Sequence, residues 1–161
     1  MSDNVPDKKI SNLWTTVALL ALVLLLVVSY KLKDMLKPSI AAKAELNESC
    51  NLREGPCSSK LPGGGTVTFS IAPNEIPILR PLQIDVKVEG IDVSKTEVDF
   101  TGIGMDMGYN RPKLDAVSKT QFKGKAILPV CVRSKMDWEA KVLLQTDNGL
   151  LMAPFRFFTM K

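Results

Sequence analysis

From Ile10 to Tyr30 the chain carries no charged residue for 21 positions, ISNLWTTVALLALVLLLVVSY. This run constrains the fold more than any other feature. As an α-helix rising ~1.5 Å per residue it is roughly 31 Å long, matching a hydrocarbon layer of about 30 Å. Trp14 and Tyr30 lie near its ends and Leu13 just inside, with Lys8, Lys9, Lys31 and Lys33 beyond. Aromatic rings near both ends suit the membrane–water interface. A core helix is the plainer alternative, but core helices seldom stay apolar on every face for this length. A cleaved leader is the other rival. Its apolar region spans about 7–15 residues, shorter than this one. The only Ala-x-Ala pattern, Ala42-Lys43-Ala44, lies well past the run. The expectation is an uncleaved transmembrane helix.

Orientation rests on two opposed signals. Lys31, Lys33 and Lys37 follow the run while Lys8, Lys9 and the terminal amine precede it, so lysine bias alone favours the wrong side for an exported domain only slightly. Cys50 and Cys57 argue the other way. They bracket Asn51-Leu52-Arg53-Glu54-Gly55-Pro56, a loop of a size that a disulfide closes, and disulfides persist in oxidising compartments. The alternative is a pair of reduced thiols in the cytosol. Weighing the cysteines more heavily gives residues 1–9 as a cytoplasmic tail, 10–37 as the transmembrane helix and its extension, 38–65 as a tether holding the Cys50/Cys57 loop, and 66–161 as a periplasmic β-sandwich. The location implied is a bacterial inner membrane, single-pass.

After Gly65 the pattern turns to period two. Val67, Phe69 and Ile71 share one strand face; Leu82, Ile84, Val86 and Val88 share another. Further strands are predicted at 95–101, 103–107, 120–129, 138–146 and 150–158. Asp147-Asn148-Gly149 is a hairpin signal between the last two. Seven short strands with no amphipathic helix predict an all-β fold, an immunoglobulin-like antiparallel sandwich preceded by one N-terminal transmembrane helix. A small open barrel is the alternative.

Composition narrows the chemistry. Among 161 residues there is no histidine, which removes Ser-His-Asp and Cys-His catalysis and the commonest general base. No enzyme is expected. The net charge of +4 divides into +2 before residue 41 and +2 after it, with no basic run, so no nucleic-acid partner is expected. The unusual stretch is Thr101-Gly102-Ile103-Gly104-Met105-Asp106-Met107-Gly108. On an extended segment Met105 and Met107 face the same side. Thioether sulfur is a soft ligand that suits Cu(I). A third sulfur is available from Cys131, left over if Cys50 pairs with Cys57, or from Met136. The plainer reading makes these methionines core filling and Cys131 a small buried hydrophobe. A thiol-redox role for Cys131 is a weaker third.

Three short elements also resemble the FixH-like and YtkA-like group of membrane-anchored exported domains. They are Met105-Asp106-Met107-Gly108, Leu128-Pro129-Val130-Cys131, and Met136-Asp137-Trp138 opening a strand, followed by Pro154-Phe155-Arg156-Phe157. That resemblance covers roughly 66–158 and the span. It implies an accessory role in copper handling or cytochrome oxidase assembly, with Cu(I) as the bound ion and a membrane-bound oxidase or copper chaperone as partner. The competing expectation is an interaction module that binds no metal and docks another membrane protein.

Overall fold

The computed structural model describes residues 8–35, 40–130 and 132–161, with side chains of the helix described from Trp14 to Tyr30. The chain divides into two compact units, Met1–Pro38 and Ser39–Lys161.

The first unit holds one helix, α1 (Lys8–Met35). Its described apolar side chains are exposed all round; Leu20 and Leu24, for example, are 67% and 65% accessible. Trp14 and Tyr30 are exposed as well, and the side chain of Leu13 lies outside the described residues. The Ser29 hydroxyl donates to the Leu25 carbonyl one turn back, which removes a polar group from the surroundings. Among the described residues, no helix is long and apolar enough to cross a membrane.

The second unit is all strand: β1 (Ile40–Lys43), β2 (Cys57–Lys60), β3 (Thr66–Ala72), β4 (Pro81–Glu89), β5 (Lys95–Gly102), β6 (Lys113–Ala116), β7 (Gln121–Ile127), β8 (Lys135–Thr146) and β9 (Gly149–Met160). They form one curled sheet in the order β1-β9-β8-β5-β6-β7-β4-β3-β2. Every neighbouring pair is antiparallel except β1 with β9.

Period two accounts for the long strands. In β4 Leu82, Ile84, Val86 and Val88 are buried while Pro81, Gln83, Lys87 and Glu89 are exposed. The buried faces of the two arms meet in one core. Phe69 of β3 and Phe155 of β9 stand far apart in strand order, yet their rings are 5.2 Å apart. Trp138 stacks on Phe157 at 6.4 Å, and Phe100 meets the same ring edge-on at 6.2 Å. The one polar atom of the Trp138 side chain, Nε1, donates to Thr159 Oγ1 at 3.0 Å, so the buried indole leaves no donor unpaired.

Three sequence expectations need correction. Residues 103–107 are not a strand: Gly104 adopts φ +78°, which breaks the extended backbone that Ile103, Met105 and Met107 mimic by alternation. β6 supplies an unexpected strand; only Leu114 of its four residues is buried, too little to read as alternation. The stretch 38–65 is more than a tether, since β1 and β2 lie within it and form the two edges of the sheet.

Those two edge strands are consecutive in the chain, so the segment between them spans the open seam of the curl. It leaves β1 with Ala44 N donating to Met152 O and passes β2, where Ser59 Oγ donates to Glu45 O. The Cys50–Cys57 disulfide closes its loop, with Cα atoms 5.8 Å apart. Leu52, inside the loop, is completely buried in the core. Arg53 Nη1 donates to Glu75 O at 2.8 Å, and its guanidinium lies 4.9 Å from the Phe158 ring centre. A loop of this length removes enough chain entropy from the unfolded state for Cys50→Ser/Cys57→Ser to lower unfolding free energy by about 2.5 kcal/mol. Urea denaturation read by tryptophan fluorescence checks this, and an unchanged midpoint would refute it.

Candidate functional site

The segment 103–112 links β5 to β6 at one end of the sheet. Its start is pinned where Ile103 N donates to Asp137 O of β8 at 2.9 Å. Asp106 Oδ1 accepts from Gly108 N at 2.9 Å, closing an Asx turn around Met107. Gly104 and Gly108 take φ +78° and +76°, conformations that cost a larger residue. The second half is fastened to two strands, β5 and β7. Phe100 N donates to Asn110 O, Asn110 Nδ2 to Ile127 O, and Val98 N to Pro112 O. Arg111 Nε stands 2.8 Å from Glu97 Oε2, an electrostatic contact without hydrogen-bond alignment.

Met105 and Met107 are half-buried against the core and Asp106 between them is exposed. The two thioether side chains therefore do share the inner side, although on a turn rather than a strand. A cavity of about 320 Å³ opens beside them, lined by Thr101, Gly102, Met105, Asp106, Met107 and Gly108. Met136 reaches the same place from β8. It is 3% exposed, two residues before Trp138, and Trp138 pairs with Gly102. A Cβ on Gly102 would overlap Met136 Cε and lie 2.6 Å from Met105 O and 2.8 Å from Met107 Cγ. The fold thus gathers Met105, Met107 and Met136, which are distant in sequence. Cys131 lies outside the described residues; its neighbours Val130 and Val132 are exposed in the link from β7 to β8. Cys50 and Cys57 are bonded to each other and take no part.

Among the described residues, no group of three or more His, Cys, Asp or Glu side chains is placed to hold a metal. Two larger cavities lie elsewhere, about 680 Å³ beside Lys43–Asn47 and about 440 Å³ between Cys50 and Phe158. Their lining residues include no histidine or free thiol.

Sequence reasoning missed the character of the surface around the methionines. Leu79, Ile103, Tyr109, Ile127, Val130, Val132 and Met160 are all exposed at this end of the strands. Among the described residues outside α1, the other exposed large hydrophobics are Ile40 and Val117. Leu79 is held there with φ +57°, its N–H donating to Leu128 O at 3.0 Å. A leucine in the left-handed region carries strain. Scattered apolar residues in loops and at strand ends carry no periodic signal, and only the strand register brings them to one end.

No protein-family profile and no curated protein matches this chain. Among solved structures, a crystal structure of an engineered protein aligns with a TM-score of 0.43 at 17% identity, over 62% of this chain and 21% of that one. This chain thus spans about a fifth of that protein's length, and a likeness of this degree carries no functional argument.

The Glu97 carboxyl ties the loop to acid. Burial raises its pKa, but the Lys95 hydrogen bond and the Arg111 and Lys95 charges outweigh burial, and the net result lies below the ordinary carboxylate value. A depressed carboxyl contributes stability that is complete above its unfolded pKa of about 4.3 and is lost as pH falls through the lower folded value. Glu97→Gln is expected to be less stable than the wild type at neutral pH, with the gap closing below about pH 4. Urea midpoints measured between neutral and acid pH check this; a gap that stays constant on acidification contradicts it.

Proposed function

We propose that this chain is a single-pass protein of a bacterial inner membrane whose β unit, a sandwich of immunoglobulin type, stands in the periplasm and handles Cu(I). It serves copper delivery or cytochrome oxidase assembly as an accessory and performs no reaction of its own. The observation that carries the reading is the gathering of Met105, Met107 and Met136 at one end of the sheet. Neutral thioethers hold a soft monovalent ion without the charge a carboxylate site requires, which favours Cu(I) over hard divalent cations. Cys131, close in sequence to β8, is a further candidate ligand.

Membrane anchoring is supported by the uncharged run Ile10–Tyr30 and by apolar side chains exposed around α1. Residence outside the cytosol is supported by the Cys50–Cys57 disulfide. The sandwich reading is supported by the contact of Phe69 with Phe155 across the core. The alternative function, a docking module that binds no metal, is favoured by the apolar rim formed by Leu79, Tyr109, Ile127 and Val132. An apolar patch of this kind marks interaction surfaces.

Titration of the full chain with Cu(I) against bathocuproine separates the two. The copper reading expects the wild type to retain the ion and Met105→Leu/Met107→Leu to bind at least about tenfold more weakly. Complete surrender of copper by the wild type, with the double variant indistinguishable from it, leaves the docking reading. For topology, alkaline phosphatase fused to the C-terminus is expected to be active and the N-terminal fusion inactive. The reverse pattern would place the β unit in the cytosol.

A further inference from the structure

Gly102 closes β5 on the strand face that Thr96, Val98 and Phe100 bury, so a side chain at this position would point into the core. The backbone there does not call for glycine. Gly104 and Gly108 have positive φ and nothing within 4 Å of a would-be Cβ, so they are needed for conformation. Gly102 shows the opposite pattern: its φ is outside the left-handed region, and the space beside it is occupied.

Two methionines enter that space from separate elements. Met136 Cε comes from β8, and Met107 Cγ lies 2.8 Å from the position a Cβ would take. Each of those carbons is bonded directly to its thioether sulfur, so both sulfurs stand one bond from a shared notch. The Met105 carbonyl, 2.6 Å from the same point, brings the loop backbone against it. A flexible methionine tip can swing aside, but that carbonyl follows the turn pinned by Ile103 N on Asp137 O. A side chain at position 102 therefore pushes the loop off β8.

We infer that Gly102 is a positioning residue: by having no side chain it lets the buried Met136 meet the Met105–Met107 turn, so that three thioethers line one notch for a soft monovalent cation. The inference rests on the copper reading of that turn and names the third ligand and the residue that admits it.

The test uses the full chain in detergent, with ε-¹³C-methyl methionine. In the metal-free wild type a nuclear Overhauser contact is expected between the Met136 methyl and the Met107 side chain. Cu(I) supplied alone is expected to show three sulfur neighbours by X-ray absorption. Gly102→Ala is expected to lose the contact and to bind Cu(I) at least about tenfold more weakly against bathocuproine. Met136→Leu, which keeps the packing volume, is expected to drop the sulfur count to two. Rescue is expected to fail in Gly102→Ala/Met136→Ala, where the crowding by Met136 is relieved but the sulfur is gone. The inference is overturned if Gly102→Ala keeps both contact and affinity, or if Met136→Leu keeps the wild-type sulfur count. Should Gly102→Ala not fold, Met136→Leu decides. A wild type that shows the methyl contact and binds no Cu(I) sinks the copper reading, and this inference with it. A wild type that binds through two sulfurs, unchanged in Met136→Leu, sinks this inference alone.

Discussion

An open sheet of nine strands has two edges and one face too many, and closing the curl over a single core is the constraint the β unit depends on. The edge strands β1 and β2 follow one another in the chain, so the link between them lies across the seam. Leu52 fills the core from inside that link and the Cys50–Cys57 bridge limits how far it opens. The stretch of β9 beyond β1 is blunted in another way. Met152 O accepts from Ala44 N, so alternation turns the Pro154 nitrogen toward the same outer edge. A residue with no N–H leaves no ladder donor unpaired there.

Closure also determines what gathers at the far end of the strands. The aromatic cluster of Phe100, Phe157 and Trp138 joins β5, β8 and β9. Trp138 faces Gly102 across the β5–β8 ladder, and Met136 lies one residue pair further along. Met136 is therefore placed by the aromatic core. Met105 and Met107 sit instead on a turn fastened by backbone bonds at both ends. A methionine fixed by the aromatic core thus meets a pair carried on a glycine-flanked turn.

Much of this was legible beforehand. Alternation located β3, β4, β5, β7, β8 and β9 to within about three residues, because each buries one face and water reads the other. Asp147-Asn148-Gly149 marked the β8–β9 turn. The short strands β1, β2 and β6 were not visible, since four residues with at most two buried positions carry no periodicity. Ile103, Met105 and Met107 alternate like a strand, but a left-handed glycine between them decides the matter locally.

By itself the amino-acid order determined an uncharged apolar helix, a β-rich remainder, a cysteine pair at bridging distance along the chain, and chemistry without histidine. Each of these is a matter of neighbours in sequence or of composition. Only the tertiary structure decided that Met136 stands beside Met105 and Met107, that seven exposed apolar residues of loops and strand ends share one end, and that the space beside Gly102 is already occupied. Those facts depend on the register of β5 against β8 and on the curl that closes the core. Both are set by contacts between residues tens of positions apart, which no local pattern encodes.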